Sequence, residues 1–304
     1  MSTTVDPGDD RLHLPSSPDP AFCDVVTFSF GDPAAKLYGL ARLSRSADAS
    51  HGLAILFSET QAVVTSAAAG PAGGETWDAV QAGGVWVRVQ QPLEAWTVAF
   101  TGQEGAFELR FEACSAPAVL DADSDFAQVA GVQGYEQLCR VTGNVTHGGR
   151  THVVRCLGQR GRQWGGPDPG RVELARTVSA WFAEDRAMTL AAVRPAKSKG
   201  HIDEALAGFV FEDGEPLAID DPRLSTTYDG ERRLRRAGLE LWMGEEDDHA
   251  RRMAGEVLCA TLLELGEQQL ESAFFSWRME GRSGVGRYEV LRRRTADGGR
   301  RRLR

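Results

Sequence analysis

The chain has no run of 18 or more apolar residues, and its first 20 residues, MSTTVDPGDDRLHLPSSPDP, contain no basic stretch followed by an apolar one. No membrane-spanning helix or secretory leader is therefore expected, and the expected location is cytoplasmic. Positive charge is in deficit: 34 Lys and Arg stand against 43 Asp and Glu, a formal net charge of −9. Nucleic acid demands clustered cations for its phosphates, so it is not an expected partner, and anionic membranes are disfavoured for the same reason. Cysteine is sparse. Cys23, Cys114, Cys139, Cys156 and Cys259 are odd in number and widely spaced, with no C-x-x-C pair, which reads as reduced and largely buried thiols. The six histidines (His13, His51, His147, His152, His201, His249) form no ligand cluster, so no metal site is expected. His147 and His152 flank a hairpin turn, where they should point outward. Phosphate-loop, H-E-x-x-H, G-x-S-x-G and dinucleotide glycine motifs are also missing, and no cofactor is expected.

What the sequence does contain is alternation. Phe107, Leu109, Phe111 and Ala113 share one face of a pleated segment, with Glu108, Arg110 and Glu112 on the other. The same period of two runs through Val85–Val89, Glu94–Thr101 and Phe274–Glu280. Gly102-Gln103-Glu104-Gly105, His147-Gly148-Gly149-Arg150 and Glu212-Asp213-Gly214-Glu215 sit between such runs as hairpin turns. No segment shows a sustained 3.6-residue stripe with caps at both ends, so an all-β, antiparallel, meandering fold is expected. A chain of 304 residues exceeds one ordinary hydrophobic core. The reading divides it into a mobile or loosely docked arm (1–20), a first β domain (21–118), a linker (119–133) rich in small, acidic and turn residues, a second β domain (134–293) and a basic tail (294–304). Each domain has strands enough to close a barrel or form a strongly curved sheet.

The densest unusual segment is Leu157-Gly158-Gln159-Arg160-Gly161-Arg162-Gln163-Trp164-Gly165-Gly166-Pro167-Asp168. Its glycines permit close approach of the backbone to a ligand or another strand. It reads equally as a Gly-rich loop with solvated arginines and a Trp plugging a barrel end.

Gly134-Tyr135-Glu136-Gln137, Val141-Thr142-Gly143, the Gly148-Gly149 hairpin and Gly158 to Gly165 together resemble the opening of the second domain in proteins related to hydroxyneurosporene synthase (carotenoid hydratase). That family carries a motif of the form G-x-R-D-H-S-W-G, which Gly158, Arg160, Trp164 and Gly165 match. Gly161, Arg162 and Gln163 stand where the motif has Asp, His and Ser. Ala180-Trp181-Phe182 and Gly281 to Glu289 extend the similarity. The resemblance implies two consecutive lipocalin-like barrels and, for function, hydration, cyclisation or isomerisation of an isoprenoid or other greasy molecule without a cofactor.

Such chemistry needs a proton donor strong enough to make a carbocation, with aromatic faces beside it. A carboxyl buried in an apolar barrel stays protonated at neutral pH and meets the first need. The candidates are Glu184, Asp185, Glu240 and Glu280, with Tyr228 as a phenolic donor. In the leading arrangement Glu184 donates the proton, Trp164 lines the mouth or floor of the second barrel, and Arg160 or Arg162 anchors a carboxylate or polar head group. Gln163, Trp181, Phe182, Trp242 and Trp277 complete the substrate-binding set. Each carboxylate can instead be a rim group paired with an arginine, and the whole protein a non-catalytic carrier of a hydrophobic ligand. An enzyme leaves a titratable group with a shifted pKa inside the cavity; a carrier leaves its charges at the rim. An interaction protein would show neither, but a large exposed apolar patch.

The segment 292–304 holds seven arginines and one aspartate and reads as a solvated end. Deleting residues 295–304 is expected to leave the melting temperature unchanged in a thermal scan; a large drop would show that the tail packs on the fold.

Overall fold

A computed structural model describes residues 5–15, 19, 21–198, 203–244 and 249–294. The deleted segment of the tail experiment, 295–304, lies outside the described residues. The fold is the expected one, two antiparallel sheets of lipocalin-like type. The first sheet contains β1 (Cys23–Asp32), β2 (Leu37–Ser46), β3 (Ala49–Ser58), β4 (Gln61–Pro71), β5 (Gln81–Ala82), β6 (Val85–Gln91), β7 (Ala95–Thr101), β8 (Gly105–Ala113), β9 (Ala118–Leu120), β10 (Val132–His147) and β11 (Arg150–Gly165). Its order is β4-β3-β2-β1-β11-β10-β8-β7-β6-β5, with β9 on β10. Its two ends come back together where Ser50 Oγ donates to Gln81 O and Ser66 Oγ to Gly83 O, so this sheet is a nearly closed barrel.

The second sheet, a half-barrel, contains β12 (Val172–Ala183), β13 (Arg186–Pro195), β14 (Ala205–Glu212), β15 (Glu215–Ala218), β16 (Asp221–Tyr228), β17 (Leu234–Trp242), β18 (Arg251–Leu265), β19 (Gln268–Met279) and β20 (Arg282–Arg293). Its order is β15-β14-β13-β12-β20-β19-β18-β17-β16. Among the described residues, no helix is long and apolar enough to cross a membrane.

Strand pairing moves the expected junction. Residues 119–133 hold part of β9, the start of β10 and a helix, α1 (Asp125–Ala130), while β10 and β11 pair with β8 and β1 inside the first sheet. The change of sheet falls at residues 166–171. The helix begins where Ser124 Oγ accepts from Ala127 N and ends at Gly131, whose φ of 71° suits glycine. Six residues are too few to display a helical stripe, which is why the sequence shows none.

The barrel interior is apolar, filled from Val26, Phe28, Phe30, Trp96, Phe107, Leu109 and Phe111. The half-barrel fills its own concave face with Met188, Leu190, Phe275, Trp277, Met279 and Tyr288. Between the sheets lies a third apolar cluster, including Tyr38, Ile55, Phe57, Trp181, Phe211 and Phe274, so the outer face of the barrel is covered by the half-barrel. A fourth, around Leu120, Phe126 and Val193, seats α1 over one end of that seam.

The expected mobile arm is, over residues 5–15, a plug. A 3₁₀ turn at Pro7–Asp10, closed by reciprocal bonds between Asp6 and Asp9, drives Asp10 into the end of the barrel. There Arg160 Nη1 lies 2.5 Å from Asp10 Oδ1, Trp96 Nε1 donates to Oδ2 at 3.0 Å, and Tyr135 OH and Leu93 N also donate to the carboxylate. Burial pushes the Asp10 pKa up, but the Arg160 charge and these donors outweigh it and hold the carboxyl below its ordinary 3.8. Arg160 and Asp10 are 2% and 0% exposed.

Removing one partner of a buried ion pair strands the other, a loss of about 3–5 kcal/mol. Asp10→Ala is therefore expected to lower the urea-unfolding free energy by that amount at pH 7. A group whose folded pKa is depressed adds stability above its unfolded value and loses it as pH falls, so the variant should also lose less stability than the wild type between pH 4 and pH 2. Wild-type stability in Asp10→Ala would show that the arm is not docked.

Candidate active site between the sheets

The alternation of β11 sorts the Gly-rich segment onto two faces. Arg160 and Arg162 enter the barrel, while Gln159, Gly161 and Gln163 face outward. Arg162 makes a two-pronged bond to Asp24 (Nη1–Oδ1 2.7 Å, Nη2–Oδ2 3.0 Å) and donates to Arg11 O at 2.9 Å. Trp164 stacks on His13 of the plug, ring centroids 4.2 Å apart, at the end of the first barrel and not in the second. Both arginines are thus consumed in holding the arm, which leaves neither available as the head-group anchor expected of them.

The other sequence candidates are dispersed. Glu184 is 54% exposed and receives both prongs of Arg140 (2.9 and 2.6 Å), a hydrogen bond and charge that hold its carboxyl below the usual range. That is a solvated carboxylate at the edge of a surface cleft of about 450 Å³, which also takes in Asp185, and not a protonated acid in an apolar barrel. Asp185 pairs with Arg282 at 3.6 Å, Glu240 with Arg252 at 3.6 Å, and Glu280 with Arg186 and Arg251 at 3.6 and 3.7 Å, all at the surface. Tyr228 lies exposed beneath Arg292, its phenol pKa raised by partial burial. Trp242 sits against Arg223, Phe182 packs on the half-barrel core and Trp277 is inside it. Gln163 is half-buried. His147 and His152, expected to point outward, stack on each other with centroids 5.1 Å apart.

Of the predicted set, Trp181 alone reaches the group of polar side chains buried in the seam. Its indole Nε1 donates to Gln159 Oε1 at 3.2 Å. Gln159 Nε2 in turn donates to Glu136 Oε2 at 2.7 Å and lies 3.1 Å from Thr189 Oγ1. Glu136 is opposite Gly161 across the β10–β11 pair, and a Cβ at residue 161 would stand 2.5 Å from Glu136 Oε1. The carboxyl of Glu136 thus occupies the space over the position where the resembling motif carries Asp. Burial raises the Glu136 pKa, against the lowering effects of the Arg287 charge, the Gln159 bond and Arg42.

The half-barrel supplies the facing wall. Glu289 and Arg287 are buried neighbours on β20, Arg287 Nη1 lying 3.4 Å from Glu289 Oε2. Arg42 Nη2 donates to the same oxygen at 2.8 Å, and its Nε to Thr27 Oγ1 at 3.2 Å. Burial alone would raise the Glu289 pKa, but Arg42 and Arg287 outweigh it and hold the carboxyl ionised. Arg42 also lines a cleft of about 520 Å³ that opens between the sheets and is walled by Leu53, Ala67, Ala69 and Leu265. Arg42 is thus shared between a cleft at the edge of the seam and a buried pair of carboxyl groups of opposite tendency. Glu136, Gln159, Arg42, Arg287 and Glu289 were not predicted as site residues, although Glu136, Gln159 and the β20 pair fall within the stretches that carried the family resemblance.

Residues 6–294 match a family model described as a domain of unknown function (DUF7064). No curated protein matches the chain in sequence. Solved structures share its fold: CghA with Sch210972 (13% identity, 90% of this chain and 89% of that one, TM-score 0.64) and kievitone hydratase from Nectria haematococca (10% identity, 89% and 88%, TM-score 0.63).

A carboxyl whose folded pKa is raised stabilises the fold fully below its unfolded value and loses that contribution as pH rises through the folded one. Wild-type protein should therefore lose stability from this group as pH climbs above 4.5. Glu136→Gln has no proton to lose, so the difference in unfolding free energy should move in favour of the variant between pH 4 and pH 8. A constant difference across that range would place Glu136 in an ordinary ionised state.

Proposed function

We propose, for a chain that belongs to the DUF7064 family, that the polar cluster between the sheets is the acid–base centre of a cofactor-independent enzyme acting on a hydrophobic small molecule, with Glu136 as the proton donor. The reaction class is hydration, cyclisation or isomerisation, and the substrate class isoprenoid or polyketide-like. One observation carries the reading: Glu136 is a carboxyl buried between the sheets and raised in pKa, within the field of Arg42, which lines a cleft. A carrier has no use for such a group. Gln159 orients it, and the Trp181 indole, bonded to the same amide, presents a π face beside the place where positive charge would develop. In the forward step the Glu136 O–H bond breaks and its proton forms a C–H bond at a substrate alkene carbon. The cation at the adjacent carbon then forms a C–O bond with water, which gives a proton to the Glu136 carboxylate, or loses a proton from a neighbouring carbon to that carboxylate, either directly or after attack by a second double bond has moved the charge. The shared fold with kievitone hydratase agrees with a hydration chemistry, and surface Glu184 takes no part.

Native mass spectrometry of the purified protein should reveal a retained apolar molecule, which supplies the assay compound. With it, Glu136→Gln is expected to lower turnover by about 10²–10⁴-fold, the usual share of a general acid. Glu184→Gln should leave turnover unchanged. Full activity in Glu136→Gln, or loss in Glu184→Gln, would sink the assignment.

A further inference from the structure

Arg287 is the anomaly of the seam. It is 3% exposed, yet its Nε and Nη1 have no hydrogen-bond partner among the described residues. Its Nη1 is near enough to Glu289 for attraction but not aligned to donate. Ser179 Oγ, on the inter-sheet face of β12 between Thr177 and Trp181, is buried and equally without a partner. Buried guanidinium donors are mostly satisfied, because leaving one unmade forfeits the hydration it gave up; Arg45, Arg162, Arg176 and Arg292 each leave Nε open, and among the described residues Arg287 alone leaves Nη1 open as well. Two donors of one buried guanidinium and the Ser179 hydroxyl, open in the seam together with Glu289 Oε1, describe a polar group that is not part of the chain.

The charge count says what kind. The groups that face one another in the seam are Arg42 and Arg287 against Glu289 and Glu136. When Glu136 carries the proton that the proposed chemistry requires, a single carboxylate is left against two guanidinium groups. Arg42 is partly solvated at the cleft, so the uncompensated positive charge rests on buried Arg287. Inside a protein such a charge strongly favours an opposite charge over a neutral dipole.

We propose that the substrate of this site is an acid: an apolar molecule bearing a carboxylate or comparably acidic enolate oxygen that accepts from Arg287 Nε and Nη1, with the Ser179 hydroxyl beside it. The apolar remainder lies toward Leu53 and Ala67–Ala69 in the cleft. This rests on the reading of the seam as the active site and on an uncharged Glu136, but not on Glu136 being the donor. It also moves the head-group anchor from Arg160 and Arg162, which hold the plug, to Arg287.

The test compares ω-phenylalkanoic acids of four to eight carbons with their primary amides, by calorimetry and Trp fluorescence on the full chain at pH 7.5. The wild type is expected to bind at least one acid ten-fold or more tighter than its amide. Arg287→Met should abolish that preference, and Arg287→Lys, which keeps the charge and the fold should Met prove unstable, should retain part of it. Asp10→Glu, far from the seam, should leave it intact. Equal binding of acid and amide, binding of neither, or an acid preference that survives in folded Arg287→Met would overturn the proposal. Glu136→Gln separates the two readings. Acid preference kept in that variant with turnover also kept refutes Glu136 as the donor while Arg287 stands; preference absent from the wild type with turnover lost in Glu136→Gln refutes the anchor alone.

Discussion

Coverage of the central strands on both faces is the constraint from which the rest of this structure follows. Over residues 24–31, 135–139 and 159–162, strands β1, β10 and β11 turn one face into the barrel and the other against the half-barrel, so neither face can rely on water for its polar groups. Every charged side chain there must meet a partner from elsewhere in the protein. Inside the barrel the partners come from the N-terminal arm, where Asp10 and the backbone carbonyl of Arg11 meet Arg160 and Arg162, and from Asp24 on the neighbouring strand. On the outer face they come from the half-barrel, through Thr189 and Trp181 to Gln159 and through Arg287 to Glu136. The arm and the site are two answers to one requirement.

This division explains what the sequence showed and what it hid. The period of two made the sheets legible, because strands such as β8 keep one wet face and alternate cleanly. It failed at the junction for the same reason. Segment 119–133 has the composition of a linker, yet it carries a short helix that seals the seam, while the two long strands after it complete the first sheet instead of opening the second. Pairing between β11 and β1, whose partners are 126 to 142 residues apart, leaves no local mark. Nor did the arm: Pro, Asp and Ser are the composition of a mobile end, and also of a capped 3₁₀ turn with an acid to bury.

The site was half legible. The resemblance led to a strand that borders the seam, Gly158 to Gly165, and to the arginines of its barrel face, whereas the proposed site lies on the other face. Arg160 and Arg162 stand out in sequence because guanidinium groups among glycines look exposed and functional; register turns them inward. Gly161 appeared as the loss of an acid, and it is the space that lets a carboxyl from the opposite strand stand there. Glu136 sits between Tyr135 and Gln137, which face the barrel, in a segment buried on both sides, and only knowledge of that double burial distinguishes it from a solvent-facing glutamate. Glu184, by contrast, has the aromatic neighbours of an active-site acid and the surroundings of a surface ion pair.

The two carboxyl groups of the seam are set apart by their arginines. Glu289 takes a direct bond from Arg42 and the charge of Arg287 and remains ionised; Glu136 takes only an amide bond from Gln159 and feels those guanidinium groups at a distance, so desolvation wins. Acid–base assignments in enzymes commonly arise from such a divergence within one site. Here it has a second effect. By placing a direct bond from Arg42 on Glu289 and favouring the protonated form of Glu136, the seam leaves Arg287 with donors and charge to spare. An incoming anion would satisfy both. It would also add negative charge near Glu136, which raises a carboxyl pKa further and keeps the group protonated while the substrate is bound. The same arrangement that selects an acidic substrate therefore also holds the donor in its loaded form.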